Sequence, residues 1–319
     1  MKIILSRKGF DSSNGGVPSP IFRYEDGTFG LYSLPIPLSR STCGYADIRW
    51  DGGNLHELIC SLRRRKKTTL ADPPHLDPDL VRNALDKRRE GWRPVFGQSG
   101  PQETQLQNMG VNDPAGEPRN RPLFLFFGWY REAERLPLGY SCVRGRPNIH
   151  AIFGWLQVER KIILAGAQVR RDADRAQVRR DLPWIANHPH IACGYYDSVL
   201  NAVYLAPEPG SKTDRLILNG RDTGLPASGM FRHFVPSIHT LTADGLTRRN
   251  WRLPSWFYRN GKPALGMHTD LARWTAPATD AHYAHLRSVD IGQEFVFESS
   301  AHDEKQVFEW VECIVRAGQ

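Results

Sequence analysis

Two apolar runs, PLFLFFGWYRE (122–132) and NIHAIFGWLQVERKIIL (148–164), constrain the fold of this chain more than any other feature, and each carries the tripeptide FGW. Their length and their wealth of Phe, Ile and Trp mark them as strands in a core. The alternation of Ile149, Ala151 and Phe153 against His150, Ile152 and Gly154 is only partial. Shorter strands are expected in MKIIL at the start, in SVLNAVYLA and in DRLILNG. Helices are few. Asp77 or Pro78 is expected to open one, with Leu80, Ala84 and Leu85 on one side, and a short helix is expected over 102–108. The Arg-rich stretch 169–185 ends in another, and Val307, Phe308, Val311 and Ile314 lie at helical spacings near the C-terminus. No long alternation of strand and helix is present. The expected fold is therefore α+β, a single compact domain over 1–319 with peripheral helices and a curved, mainly antiparallel central sheet that includes 118–165.

Composition narrows the class. Hydrophobic residues make up 40% and charged residues 24%, a globular mixture and not a disordered one. The formal charge of +8 favours phosphate-bearing partners without naming one. Five dispersed cysteines contain no CxxC pair, which argues against a zinc ribbon and against a disulfide scaffold. The N-terminus lacks an apolar signal-type segment, and IILAGA and LFLFF are too short to span a bilayer. A reduced, cytoplasmic setting is expected, with no membrane partner.

The opening segment SRKGFDSSNGG follows a strand-length apolar run and gathers Ser6, Arg7, Lys8, Asp11 and Ser12 around glycines that permit tight turns. Such a loop suits an anionic group. Arg7 and Lys8 are expected to hold phosphate, assisted by the run RRRKK at 63–67, and Asp11 to act as base or electrostatic stabiliser. His75, in PPHLDPDL, is the second acid–base candidate; Asp77 or Asp79 can orient its imidazole or stay free as an acid or base, and an acidic first helical turn also explains both carboxylates. Gln98 and Ser99 in FGQSG offer the donors and acceptors that read a base edge. Trp129 and Trp155 offer stacking surfaces and could share one pocket wall. His188 and His190 are alternate residues across Pro189. The catalytic set is thus Asp11, His75 and Ser6. The substrate-binding set is Arg7, Lys8, Ser12, Gln98, Ser99, Trp129, Trp155, His188 and His190. No HExxH motif occurs, and the HxD matches at 75–77 and 268–270 identify no third ligand, so no metal site is assigned and the cofactor is left open.

Taken together, MKIILSRKGFDSSNGGVPSPI, HLDPDL, FGQSG, LFLFFGWY, IHAIFGWLQV, the NHPH segment, NAVYLA, WRLPSWF and GQEFVF resemble the nucleotide modification associated domain 3 family from Met1 to about Trp310. The resembling positions are Ser6, Arg7, Lys8, Gly9, Asp11, Gly15 and Gly16, with Gln98, Ser99, Gly128, Trp129, Trp155, His188 and His190. One departure is NDPAGEPRNRP, inserted where the family pattern has a tighter turn. Family members are associated, through genomic context, with DNA-base modification and with phage or mobile-element systems. The resemblance implies a nucleotide or DNA partner, carrying modified bases in the sharpest version. The central strands are also similar to those of PUA-like folds. Two functions follow as expectations. One is an enzyme acting on a nucleotide or DNA base, by group transfer or glycosidic cleavage. The other is a non-catalytic reader of modified bases.

Overall fold

In the computed structural model, residues 1–39, 41–51, 53–63, 72–86, 88–165, 175–275, 282–289 and 294–319 are described. The longest strand, Leu123–Leu136, organises the main sheet. It pairs antiparallel with Ile149–Gln157, as the two FGW runs suggest, with a register shift between Phe126 and Phe127. On its other side it runs parallel to the first strand, Lys2–Arg7, and further along it also runs parallel to Ser19–Arg23. Glu294–Glu298 closes the outer edge antiparallel to the first strand.

Both faces of this sheet are covered, which explains the unbroken apolar runs. Ile3, Leu5, Leu123, Leu125 and Phe127 face one layer, with Trp251, Phe257 and the C-terminal helix Glu304–Ala317. Ile4, Phe124, Phe126 and Leu156 face the other, against Phe96 and Tyr204. Alternation of apolar and polar residues disappears when neither face meets water. Full burial of each such side chain contributes about 1.5–3 kcal/mol.

Two expectations are corrected here. The main sheet is mixed, and among the described residues no sheet is curved or closed into a barrel, so the PUA-like picture does not hold. Parallel pairing of the first strand with Leu123–Leu136 joins segments more than a hundred residues apart, and nothing local in either segment announces it. The α+β character and the peripheral helices stand. Nor does 118–165 form one sheet: Arg160–Ala165 leaves to pair with Asn201–Leu205, the middle strand of a separate three-stranded sheet completed by Val95–Ser99. The second correction concerns the helix expected from Asp77. Among the described residues, only a single 3-10 turn forms there, Arg82–Ala84. Asp77 does not cap it. Its carboxylate turns inward and accepts the Gly97 N–H at 2.7 Å. The helices Gly100–Asn108, Arg175–Asp181 and Glu304–Ala317 occupy the other expected places.

Candidate active site

The small three-stranded sheet positions the site. Gly97 on its edge strand holds Asp77, and Asn201 on its middle strand holds His190. His190 lies in the short helix Pro189–Ala192, which His188 immediately precedes. The Asn201 amide nitrogen donates to the His190 backbone carbonyl at 2.9 Å, so its Oδ1 faces the ring and accepts from Nδ1 at 2.7 Å. That contact fixes the tautomer and leaves the Nε2 lone pair directed elsewhere. The ring stacks on Tyr196 with centroids 4.2 Å apart. Gly97 is required beneath it, because a Cβ there would fall 2.3 Å from the imidazole.

Three imidazoles surround one carboxylate. His75 Nε2 lies 4.0 Å and His190 Nε2 3.8 Å from Asp77 Oδ2, while His188 Nε2 lies 3.3 Å from Oδ1. All four side chains are nearly sealed from bulk water. Burial by itself raises the Asp77 carboxyl, but His188, His190 and His75 more than offset it and hold it well below the usual carboxylate range. Burial pushes His190 down to about 3, although Asp77 pulls the other way. At neutral pH the centre is thus an ionised carboxylate beside a neutral imidazole.

His75, Asp77 and His190 open onto a cavity of about 390 Å³. It is also lined by Arg7 at the end of the first strand, by Asp11 in the loop that follows, and by Trp129, Arg248 and Arg249. The loop is anchored by the Lys8 N–H donating to the Phe127 carbonyl at 2.8 Å. Gly128 allows that approach, since a Cβ there would meet the Lys8 carbonyl at 2.7 Å. The Arg248 guanidinium lies 4.4 Å over the Trp129 ring, whose indole N–H donates to Asn148 Oδ1 at 2.9 Å.

The structure therefore brings His75, His190, Arg7, Lys8, Asp11, Ser12, Gln98, Ser99 and Trp129 to one cavity. Their situations differ. Asp11 Oδ1 accepts the backbone N–H groups of Ser13 and Asn14 at 2.7 and 2.6 Å, a turn-forming arrangement. Ser6 is fully buried and donates to Glu294 Oε1 at 3.1 Å. The Lys8 ammonium at 2.9 Å and the Gln98 amide at 2.5 Å donate to that same oxygen, so both are engaged by the protein itself. The Ser99 N–H donates to Gln98 Oε1. His188 sits behind Asp77 and not on the cavity wall. Trp155 lies elsewhere, in the core, stacked on Phe231 with its indole N–H donating to the Pro226 carbonyl at 3.0 Å. The two FGW indoles do not share a wall. Of the basic run, Arg63 donates to the Gly15 carbonyl at 2.8 Å, and positions 64–67 lie outside the described residues.

Asp77 is the residue that the sequence reading weighed beside His75 and then left out of the site. Its signal was the HxD spacing with His75, outweighed by the resemblance of HLDPDL to an acidic helix start. Comparison with known proteins agrees with the resemblance read from the motifs: the sequence pattern of nucleotide modification associated domain 3 matches residues 2–298. The chain belongs to that family. No curated protein and no solved structure matches it. Membership associates the chain with nucleotide-modification biology, and the buried group His75, Asp77 and His190 is placed so that it could coordinate a metal ion. Among the described residues no helix is long and apolar enough to cross a membrane.

Proposed function

We propose that this family member is an enzyme acting on a nucleotide or on a base in DNA, with Asp77 and its imidazoles as the reacting centre. The observation that supports it is a buried, ionised carboxylate ringed by three histidines that opens onto an arginine-lined cavity. A module that only reads bases can work with stacking and amides. It has no use for a desolvated carboxylate, whose burial is expensive unless the charge does something.

In this reading Arg7, Arg248 and Arg249 meet phosphate, and the Trp129–Arg248 stack meets the planar base. Asp77 stabilises positive charge that develops on the substrate, or on His75 or His190 when one of them takes up a proton. Asp11 shapes the loop that follows Arg7. Group transfer to a base and cleavage of a glycosidic bond both suit such a centre.

The test is to incubate the protein with modified DNA, unmodified DNA and free nucleotides, and to follow products by nucleoside mass spectrometry. A nucleoside gained or lost with the parent protein, and not with Asp77→Asn, is the expected result. Tight binding of a modified base with no nucleoside changed by either form would instead establish the reader.

A further inference from the structure

The two oxygens of Asp77 have different surroundings. Oδ1 accepts the Gly97 N–H at 2.7 Å and has His188 Nε2 at 3.3 Å. Oδ2 faces His75 Nε2 at 4.0 Å and His190 Nε2 at 3.8 Å. His190 Nδ1 is taken up by Asn201, which leaves Nε2 as the ring atom on the Asp77 side able to act as a ligand. One ligand atom from each of His75, Asp77 and His190 lies within 4.8 Å of the others. Bonds of roughly 2.1 Å in a tetrahedron put ligand atoms about 3.4 Å apart. Drawing each inward by a few tenths of an ångström closes the set.

We propose that His75, Asp77 and His190 bind one divalent first-row transition-metal ion, of the zinc, iron or cobalt kind, with open coordination positions facing the cavity. Two imidazole nitrogens disfavour magnesium and calcium, which take oxygen ligands. Three protein ligands with open positions are the pattern of catalytic rather than structural centres. Asn201 orients His190 from outside the coordination sphere, and Gly97 together with His188 keeps Oδ1 out of it, so Asp77 binds through one oxygen. A metal held there supplies Lewis acidity and an activated water. The inference concerns what the centre binds, and it stands whether or not the substrate is a nucleotide.

The full-length protein, stripped with a chelator and dialysed, would be titrated with Co²⁺ and with Zn²⁺. One equivalent per chain is expected, with visible ligand-field absorption for Co²⁺ and two imidazole ligands counted by X-ray absorption. Asn201→Leu is expected to weaken binding about 10–100-fold. Asp77→Asn and His190→Gln should abolish it. The exposed pair His56 and Cys60, with Nε2 and Sγ 3.6 Å apart, is the rival site, so Cys60→Ser should leave the equivalent in place. Failure of the parent protein to bind either ion overturns the proposal. So does an equivalent that survives unweakened in both Asp77→Asn and His190→Gln, or that vanishes in Cys60→Ser. Should the cavity variants not fold, the stoichiometry and imidazole count of the parent protein decide alone.

Discussion

His239 and His268 are as buried as the histidines around Asp77, yet the two groups are built on opposite plans. Nδ1 of His239 accepts the Val235 N–H at 2.9 Å, and Nε2 donates to the Ile314 carbonyl at 3.0 Å. Nε2 of His268 accepts the Val289 N–H at 3.1 Å, and Nδ1 donates to the Gly266 carbonyl at 3.3 Å. Each ring is a satisfied neutral group bridging two pieces of backbone. The rings at Asp77 instead converge on a charge, and His188 makes no well-directed hydrogen bond from either nitrogen among the described residues. Burial alone does not distinguish structure from chemistry in a histidine. What the second nitrogen faces does.

The largest consequence concerns acid stability. Burial lowers His239 and His268 to about 4, the backbone carbonyls of Ile314 and Gly266 only partly opposing it. Below the unfolded value near 6.5, the unfolded chain takes up protons that the folded chain refuses. Their contribution is therefore full above pH 6.5 and is lost as pH falls from there toward 4. These two groups at roughly 1.4 kcal/mol each contribute about 3 kcal/mol per pH unit to the slope, and His150 and His190, lowered by burial as well, add to it in the same direction. Urea midpoints taken between pH 7 and 4.5 check it, and a flat profile would place these rings outside the core.

The next effect separates the two groups directly. His239→Gln is expected to lower stability by about 1–3 kcal/mol, the range for an orphaned buried partner, while turnover stays unchanged. His190→Gln should reverse that pattern, with a turnover loss of at least about 100-fold and a smaller change in melting temperature. Denaturation and product assays on the same preparations decide. Equal behaviour of the two variants would erase the distinction.

How much of this was legible follows from the same comparison. His75, His188 and His190 could be singled out because each sits among turn-forming and polar residues. What gathers them is long-range: the Gly97 N–H and the Asn201 amide, on neighbouring strands of a small sheet, each hold one member. No periodicity in the chain encodes that pairing. Asp77 was hidden by its neighbours, because Pro, Asp and a following apolar residue also begin helices. The strand pair at the centre was readable because full burial writes itself as continuous apolar sequence. The parallel partners of that strand, and hence a mixed sheet where a curved, mainly antiparallel one was expected, were not. The SRKGFD loop was legible as a loop, but its carboxylate proves to be occupied with its own backbone.

Gly97→Ala is a smaller perturbation of the site alone. Its methyl group would press on the His190 ring, and a loss of about 1–3 kcal/mol is expected from such overpacking. Gly100→Ala has open space for its Cβ, so it controls for the loss of a glycine, although its positive φ adds backbone strain. Thermal melts of both variants beside turnover measure the difference. Only Gly97→Ala should lose activity beyond its loss of stability.

The most direct measurement sets Asp77→Asn beside Asp11→Asn in one nucleoside mass spectrometry assay, each substitution keeping shape while removing charge. Because Asp11 serves its own turn and Asp77 serves the histidines, the rate should fall at least about 100-fold for Asp77→Asn. For Asp11→Asn it should stay within about tenfold of the parent, since asparagine also supports such a turn. A full rate with Asp77→Asn, or the larger loss with Asp11→Asn, would contradict the assignment of the chemistry to the buried centre and return it to the loop.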